Sequence, residues 1–191
     1  MTRITIIDGH PDCDRARFVH ALADAYAKGA VAGGHSVRRV DVATLDFPIL
    51  RARDDWEKGR PSADIAAAQA DIAWAEHLVL LYPLWLGDMP ALFKAFLEQV
   101  ARPGFAILQG ATGPKGLLKG RTARVVVTMG MPGLVYRLWY GAHSLKSLER
   151  NILRLAGVRP VADTVIGMVE GNRKAAFEWL EKLEAFGEKA R

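Results

Sequence analysis

The chain has 191 residues and a mass of 20.9 kDa, a length typical of one domain. Its residues are 50% hydrophobic and 25% charged, which excludes a disordered chain, a collagen-like chain and a coiled coil. The 26 lysines and arginines outnumber the 21 aspartates and glutamates and give a formal net charge of +5. The single cysteine, Cys13, excludes an intramolecular disulfide and a cysteine-based zinc site.

We expect no signal peptide at the amino terminus, because only a short apolar run precedes Asp8. No run approaches the ~18 apolar residues that cross a bilayer. We therefore expect a cytoplasmic protein without membrane insertion. We also expect residues 1–191 to form a single domain.

Short apolar runs alternate with longer segments of helical periodicity along the chain. The predicted strands cover 3–8, 35–42, 77–82, 124–128 and 160–168. The predicted helices cover 15–32, 62–74, 90–100, 144–156 and 172–189. Ser62 and Ser144 are the expected N-caps of two helices, and Phe177 is expected to face inward. Segments 43–60 and 101–120 are expected to be irregular.

The apolar runs 77–82 and 124–128 are continuous rather than alternating, which indicates burial on both faces. Strand and helix patterns alternate five times. This order predicts an α/β fold, an open parallel sheet of five strands with helices on both faces. In such sheets ligands bind where strands end, so the loops after the first, third and fourth strands are the candidate site.

The loop after the first strand leads into a helix N-terminus, where free backbone N–H groups attract phosphate. His10, Arg15 and Arg17 add further donors there. The loop is neither G-x-G-x-x-G nor G-x-x-x-x-G-K-[ST], which disfavours a nicotinamide-binding Rossmann domain and a P-loop NTPase.

The two other loops carry aromatic residues and glycines. Trp85, between Pro83 and Pro90, is suited to stack on a flat heterocycle, or alternatively fills the core. Tyr136 and His143 are two donors able to stabilise a developing anion. There is no nucleophile elbow and no metal-ligand spacing, so no metal site is expected. Such a site suits a cofactor that does its own chemistry.

The positive charge is concentrated between Gln99 and Ala162, where ten basic residues accompany one acid, Glu149. A positive surface favours an anionic partner. Zinc-finger spacing, an RNP motif and a clear helix-turn-helix pattern are all absent, so a nucleic-acid partner is disfavoured.

Several sequence blocks resemble the flavodoxin-like NAD(P)H-dependent oxidoreductases. This family includes the DT-diaphorase type quinone reductases, the modulator of drug activity B proteins and the ancillary subunits of bacterial potassium efflux systems. The blocks are Gly9-His10-Pro11, Tyr82–Trp85 with Met89–Lys94, Pro103–Ala106, Gly116–Arg121 and Val125–Gly130.

The resemblance implies a flavodoxin-like fold with strand order 2-1-3-4-5, a tightly bound flavin and a homodimer. It also implies two-electron, ping-pong reduction of quinones or similar aromatic acceptors by NAD(P)H, whose phosphates the basic stretch would attract. FMN is favoured over FAD because no adenine-binding feature is identified. By the resemblance, the flavin phosphate end would be held by His10, Arg15, Arg17 and Phe18, and the flavin ring would be lined by Pro83, Leu84, Trp85 and Leu86. The polar edge of the ring would face Thr128, Met129 and Gly130. The implied catalytic pair is Tyr136 and His143.

Two alternatives stay open at this point. A one-electron carrier of the flavodoxin type shares the fold, but such carriers are typically acidic and have a hydroxyl-rich phosphate loop. A flavin-binding regulatory partner of a membrane transporter is not excluded by any residue.

Overall fold

The computed structural model describes residues 1–110, 113–169, 171 and 173–191. The strands in these residues are β1 (Arg3–Asp8), β2 (Ser36–Asp41), β3 (His77–Pro83), β4 (Ile107–Gly110), β5 (Gly113–Gly116), β6 (Thr122–Thr128) and β7 (Val161–Ile166). The α-helices are α1 (Phe18–Ala32), α2 (Arg53–Glu57), α3 (Ala63–Trp74), α4 (Ala91–Val100), α5 (Gly133–Leu138), α6 (His143–Ser147), α7 (Arg154–Ala156) and α8 (Arg173–Glu188). A π-helical segment, Leu148–Leu153, joins α6 to α7. Among the described helices, none has the length and apolar content that a bilayer crossing requires.

The main sheet has five parallel strands in the order β2-β1-β3-β6-β7. This confirms the predicted fold and order, with β6 and β7 as the fourth and fifth strands of the sheet. The numbering differs because β4 and β5 form a separate antiparallel pair. The arginine-rich strand β2 lies at the edge, where its charged side chains reach solvent.

The two faces of the sheet are covered by different helices. On β3, Leu78 and Leu80 face a core that includes residues of α3, α4, α6 and α7. Val79 and Leu81 face the opposite core, which is closed by α1 and α8. Since successive strand residues point to opposite faces, a continuous apolar run serves both cores at once.

Helices α1 and α8 pack with their backbones in direct contact. A Cβ atom on Gly29 would lie 1.9 Å from the Glu184 carbonyl oxygen, and one on Gly187 would lie 2.1 Å from the Tyr26 carbonyl oxygen. A residue with a Cβ atom would clash at either position, so the crossing of the two helices requires glycine at both. It fixes the axis of α1 and therefore the position of its first turn.

The segment 101–120 was expected to be irregular, and this expectation is wrong. Residues Ile107–Gly110 and Gly113–Gly116 pair as an antiparallel hairpin. The second strand, Gly-Pro-Lys-Gly, has no alternation of apolar and polar residues, so sequence periodicity does not reveal it. Helix α2 likewise forms within 43–60, and α1 begins at Phe18 rather than at Arg15.

Two expectations about single residues are also corrected. The N-cap of α6 is Ala142, in the left-handed conformation, and the Ser144 hydroxyl instead lies 2.9 Å from the Tyr82 hydroxyl. Phe177 is 64% exposed, because α8 buries Leu183 and Gly187 instead. The predicted cap of α3 is confirmed, since the Ser62 side chain accepts a hydrogen bond from the Ile65 amide.

His77, at the start of β3, makes folding sensitive to acid. Its Nδ1 lies 2.6 Å from Thr122 Oγ1, while its buried Nε2 has no partner among the described residues. Burial, followed by the charge of Arg124, lowers the pKa of His77 to about 4. Between pH 6.5 and 4 the unfolded chain therefore binds a proton that the folded protein does not, and stability falls as the pH falls.

Through His77, the free energy of unfolding of the wild type falls by about 3 kcal/mol between pH 7 and pH 4. We predict that the His77→Asn variant lacks this part of the fall. Urea unfolding at a series of pH values measures this. His143→Gln, which replaces an exposed histidine, is the control and keeps the wild-type pH dependence. Equal pH dependence in the His77 variant and the wild type would contradict the assignment.

Candidate functional site

The carboxyl ends of β1, β3 and β6 lie side by side, and their loops are joined by hydrogen bonds. The Gly9 amide donates to the Leu81 carbonyl at 2.8 Å, and the Leu84 amide donates to the Thr128 carbonyl at 2.7 Å. The rings of His10 and Trp85 meet edge to face with centroids 6.0 Å apart. The structure thus brings the three predicted loops together at one edge of the sheet.

A buried pair of polar side chains, Asp8 and His20, lies beneath the loop after β1. His20 Nδ1 is 2.6 Å from Asp8 Oδ2, and both side chains are almost completely buried. His20 Nε2 is 2.8 Å from the Asp12 carbonyl oxygen, so each ring nitrogen lies at hydrogen-bond distance from an oxygen atom. The Arg39 guanidinium lies 3.6 Å from the same oxygen, Asp8 Oδ2. The pair links the end of β1, the loop and the first turns of α1.

His10 is held above this pair. Its amide donates to Asp8 Oδ1 at 3.2 Å, and its Nδ1 accepts from the Asp12 amide at 3.1 Å. Burial, followed by the charge of His20, lowers the pKa of His10. Nδ1 also lies 3.2 Å from the Asp12 carbonyl oxygen, so this nitrogen is engaged by the loop backbone in either tautomer. Within the described residues Nε2 makes no hydrogen bond, so it is available to a ligand.

The loop and the first turn of α1 present several free backbone donors. Within the described residues, the amides of Cys13, Arg15, Phe18 and Val19 make no hydrogen bond. The N-cap of α1, Arg17, supplies no side-chain acceptor to them. The partial positive charge of a helix N-terminus adds to these donors, and the arrangement suits an anion such as phosphate.

Arg15 and Arg17 lie in this loop, but each is paired with a carboxylate. Arg15 lies 2.8 Å from Asp24, and Arg17 lies 2.7 Å from Asp12. The Asp14 amide, followed by Arg17, lowers the pKa of Asp12. These side chains are about half exposed, and such pairs contribute only about 0–1 kcal/mol. A bound phosphate can therefore exchange with the carboxylates.

The loop after β3 forms a tight turn that displays an aromatic ring. Trp85 and Asp88 exchange backbone hydrogen bonds of 2.8 and 3.0 Å around Leu86 and Gly87, which have φ values of 50° and 85°. Trp85 is 50% exposed, so it does not simply fill the core. Leu86 is fully exposed in a left-handed conformation that disfavours any residue with a Cβ atom.

Buried residues at the carboxyl ends of β3 and β6 form the base of the candidate site. Pro83 is buried opposite Thr128, and Leu84 is half-buried. Thr128 and Met129 are buried as well, and the Met129 amide donates to the Ile166 carbonyl at 2.9 Å. The carboxyl end of β6 is therefore held in a fixed position.

Gly130 follows on the exposed side, where a ligand can approach its backbone. Phe18, at the start of α1, is half-buried and packs against the core beneath the first loop.

Tyr136 and His143 lie in the segment after β6, in very different surroundings. Tyr136, on α5, is buried, and its hydroxyl accepts a hydrogen bond from the Leu145 amide at 3.1 Å. Burial raises the pKa of Tyr136, so the phenol is neutral and keeps a proton to donate. His143 is exposed and forms no hydrogen bond within the described residues. The structure does not join the two side chains to each other.

Sequence reasoning missed the most buried charged residues of the site, Asp8 and His20. The available signals are an acid that ends an otherwise apolar strand and a histidine inside the apolar face of a helix. Each of these two sequence features is also common at positions that have no functional role. Only the fold shows that the two residues meet. Among the described residues no group of three or more His, Cys, Asp or Glu side chains is placed to hold a metal ion.

The turn at Leu86 can be tested by its stability. We predict that Leu86→Asn raises the free energy of unfolding by about 0.5–1 kcal/mol, because asparagine tolerates the left-handed conformation better than leucine does. Gly87→Ala, the matched opposite change, lowers it by about 1 kcal/mol. Urea unfolding measures both, and a Leu86→Asn protein no more stable than the wild type would contradict the assignment of strain.

Comparisons with known proteins agree with this geometry. NAD(P)H dehydrogenase (quinone) 1 of Rattus norvegicus is 23% identical over 98% of this chain and 78% of its own length. FMN-dependent NADH:quinone oxidoreductase 1 of Jannaschia sp. is 41% identical, but the match covers 32% of each chain.

A solved structure gives the same fold. NAD(P)H:quinone oxidoreductase from Methanothermobacter marburgensis superposes with a TM-score of 0.82 at 22% identity, over 100% of this chain and 99% of that one. The sequence also matches a protein family described by its flavodoxin-like fold, over residues 2–189. The resemblance stated from the sequence is thereby confirmed, and the chain belongs to this flavodoxin-like family.

Proposed function

We propose that the protein is an FMN-dependent oxidoreductase that transfers reducing equivalents from NAD(P)H to quinones or similar flat aromatic acceptors. The observation that carries this proposal is the set of free backbone amides at the start of α1, held above the buried Asp8–His20 pair and beside the half-exposed Trp85. The similar proteins of rat, Jannaschia and Methanothermobacter are named as quinone-reducing enzymes, and the second is named as FMN-dependent.

The residues present fit a flavin phosphate at the first loop. The free amides of Phe18 and Val19 would donate to it, and His10 Nε2 is unpaired among the described residues. Arg15 and Arg17, in the same loop, would exchange their carboxylate partners for the phosphate. Nothing in the described residues adds a recognisable adenine site, which favours FMN over FAD.

The ring pocket would lie between the loops after β3 and β6. Trp85, Leu84 and Leu86 offer apolar contact. Pro83 and Thr128, paired at the ends of β3 and β6, would form the base of the pocket. The backbone around Met129 and Gly130 offers polar contact on the other side. This open, flat arrangement favours planar acceptors over bulky ones.

The chemistry itself would come from the cofactor, since bound FMN accepts a hydride from NAD(P)H and passes two electrons to the acceptor. The protein's part is to place donors where negative charge develops. Tyr136 retains its phenolic proton because burial raises its pKa, and it would be the first donor. His143, on the exposed side of the same segment, would be the second donor. Both substrates would use this one pocket in turn, which is a ping-pong order.

A second copy of the chain would complete the pocket. Leu134, Leu138 and Trp139 of the α5 segment are exposed next to Tyr136, and Trp139 is 85% exposed. An exposed apolar patch of this kind marks an interaction surface, and we propose a homodimer that covers it. The expectation of a cytoplasmic location stays a prediction.

The proposal predicts that the purified protein is yellow and that mass determination of the released pigment gives FMN rather than FAD. Tyr136→Phe is expected to bind flavin as the wild type does but to slow its reduction by NADH or NADPH about 10- to 100-fold, because one donor to the developing charge is lost. Anaerobic stopped-flow absorbance measures the rate, and steady-state reduction of a simple benzoquinone tests turnover.

Tyr140→Phe is the control, since it removes an exposed hydroxyl from the same segment and leaves the rate unchanged. A Tyr136→Phe protein that is reduced at the wild-type rate would remove Tyr136 from the mechanism. A colourless protein that does not take up added FMN or FAD would refute the proposed function as a whole.

A further inference from the structure

A basic groove lies away from the candidate site. It has a volume of about 770 Å³. Strand β5, the π-helical segment, α7 and the two segments that lead into β6 and β7 contribute its lining residues. Five cationic side chains line it: Lys115, Lys119, Arg150, Arg154 and Arg159. These are half of the ten basic residues between Gln99 and Ala162.

The groove is at the opposite end of the sheet from the candidate site. Lys119 and Arg159 stand just before β6 and β7, and the Arg159 amide donates to the Arg121 carbonyl at 2.8 Å. The seven-residue strand β6 separates the two ends by ~20 Å. Charges interact weakly beyond the ~8 Å screening length of physiological salt. The position of these cations therefore gives no support to the expectation that they attract the phosphates of NAD(P)H to the site.

The cations of the groove are largely uncompensated. Arg154 pairs with Glu149, but the side chains of the other four form no ion pair or hydrogen bond with any described residue. Like charges gathered in one concave surface repel each other, and an anion placed between them relieves that repulsion.

The two walls of the groove are fixed against each other by the backbone. A Cβ atom on Gly116 would lie 2.5 Å from the Ala156 carbonyl carbon, and the Leu118 amide donates to the Ala156 carbonyl oxygen at 2.8 Å. The groove therefore exists before any ligand binds, so that little ordering cost accompanies binding.

The carbonyls at the end of α7 would repel an anion if they were free. Three of them are bonded instead: those of Leu153 and Arg154 accept from Val158 and Gly157, and that of Ala156 accepts from Leu118. The Leu155 carbonyl has no donor among the described residues. Cations near a helix C-terminus also stabilise the helix dipole, but Lys115 and Lys119 are not on this helix. The dipole does not account for their presence in the groove.

We propose that this groove binds a small ligand that carries two or three linked phosphates, such as a nucleoside polyphosphate or inorganic tripolyphosphate. The volume falls in the range of small-molecule sites, about 300–1,000 Å³. Specific nucleic-acid interfaces cover a much larger surface, about 1,000–2,500 Å² of protein. Several guanidinium and ammonium groups around one cavity match the separate phosphates of such a ligand. The proposal does not rest on the proposed oxidoreductase function.

Isothermal titration of the full-length purified protein with tripolyphosphate at 150 mM salt tests the proposal. We expect one saturable site per chain. The double variant Arg150→Gln/Arg159→Gln should weaken binding at least tenfold. The control Arg51→Gln/Arg60→Gln removes the same charge from two exposed arginines outside the groove and should bind as the wild type does.

Further titrations identify the source of the phosphates. Binding of ATP that weakens with the same groove variant supports a nucleotide ligand, and binding of tripolyphosphate without ATP supports an inorganic one. The proposal is overturned if tripolyphosphate shows no saturable binding at 1 mM or if both double variants weaken binding equally. It is also overturned if single-stranded RNA binds with an affinity that grows with length while tripolyphosphate does not bind.

Discussion

The carboxylate of Asp8 and the imidazole of His20 face each other at 2.6 Å in the interior of the protein, at the point where β1 becomes the loop that leads to α1. Removal of either partner leaves a buried polar group without its hydrogen bond, which costs about 1–3 kcal/mol. Through His20 the pair also holds the Asp12 carbonyl, and through Asp8 it holds the amide of His10. The conformation of the loop, and with it the direction of its free donors, depends on this contact.

The rest of the site follows from the order of the strands. Because β1, β3 and β6 are neighbours and parallel, their loops must meet at one edge of the sheet. The site concentrates unfavourable local features there, with the left-handed Leu86, the half-exposed Trp85 and a buried His10 in contact with the Trp85 ring. Such features persist only where the surrounding structure enforces them, and they cluster at ligand sites.

The sequence was sufficient to predict the sheet, because continuous apolar strands alternating with amphipathic helices have few other solutions. It was insufficient for the hairpin of β4 and β5, whose second strand is stabilised by backbone contact with α7 rather than by side chains. The loops of the site were predicted in position but not in chemistry. Arg15 and Arg17 were expected as donors to a phosphate, and only the fold shows their carboxylate partners.

Other features depend on contacts between distant segments. The contact of the buried Tyr136 with the start of α6 could not be inferred from sequence spacing. Ser144 was likewise predicted to be a helix cap, and its hydroxyl instead contacts that of Tyr82. The concentration of cations was visible in the sequence, but its place at the far end of the sheet was not. The single-domain organisation and the roles of the site residues stay predictions.

The account rests on the claim that the loop above Asp8 and His20 binds a phosphate. The most direct measurement compares the dissociation constants of FMN and riboflavin, which differ only in that phosphate, by fluorescence quenching of the apoprotein. Several charge-assisted hydrogen bonds should make FMN bind at least about 100-fold more tightly. Equal affinities for FMN and riboflavin would contradict the account.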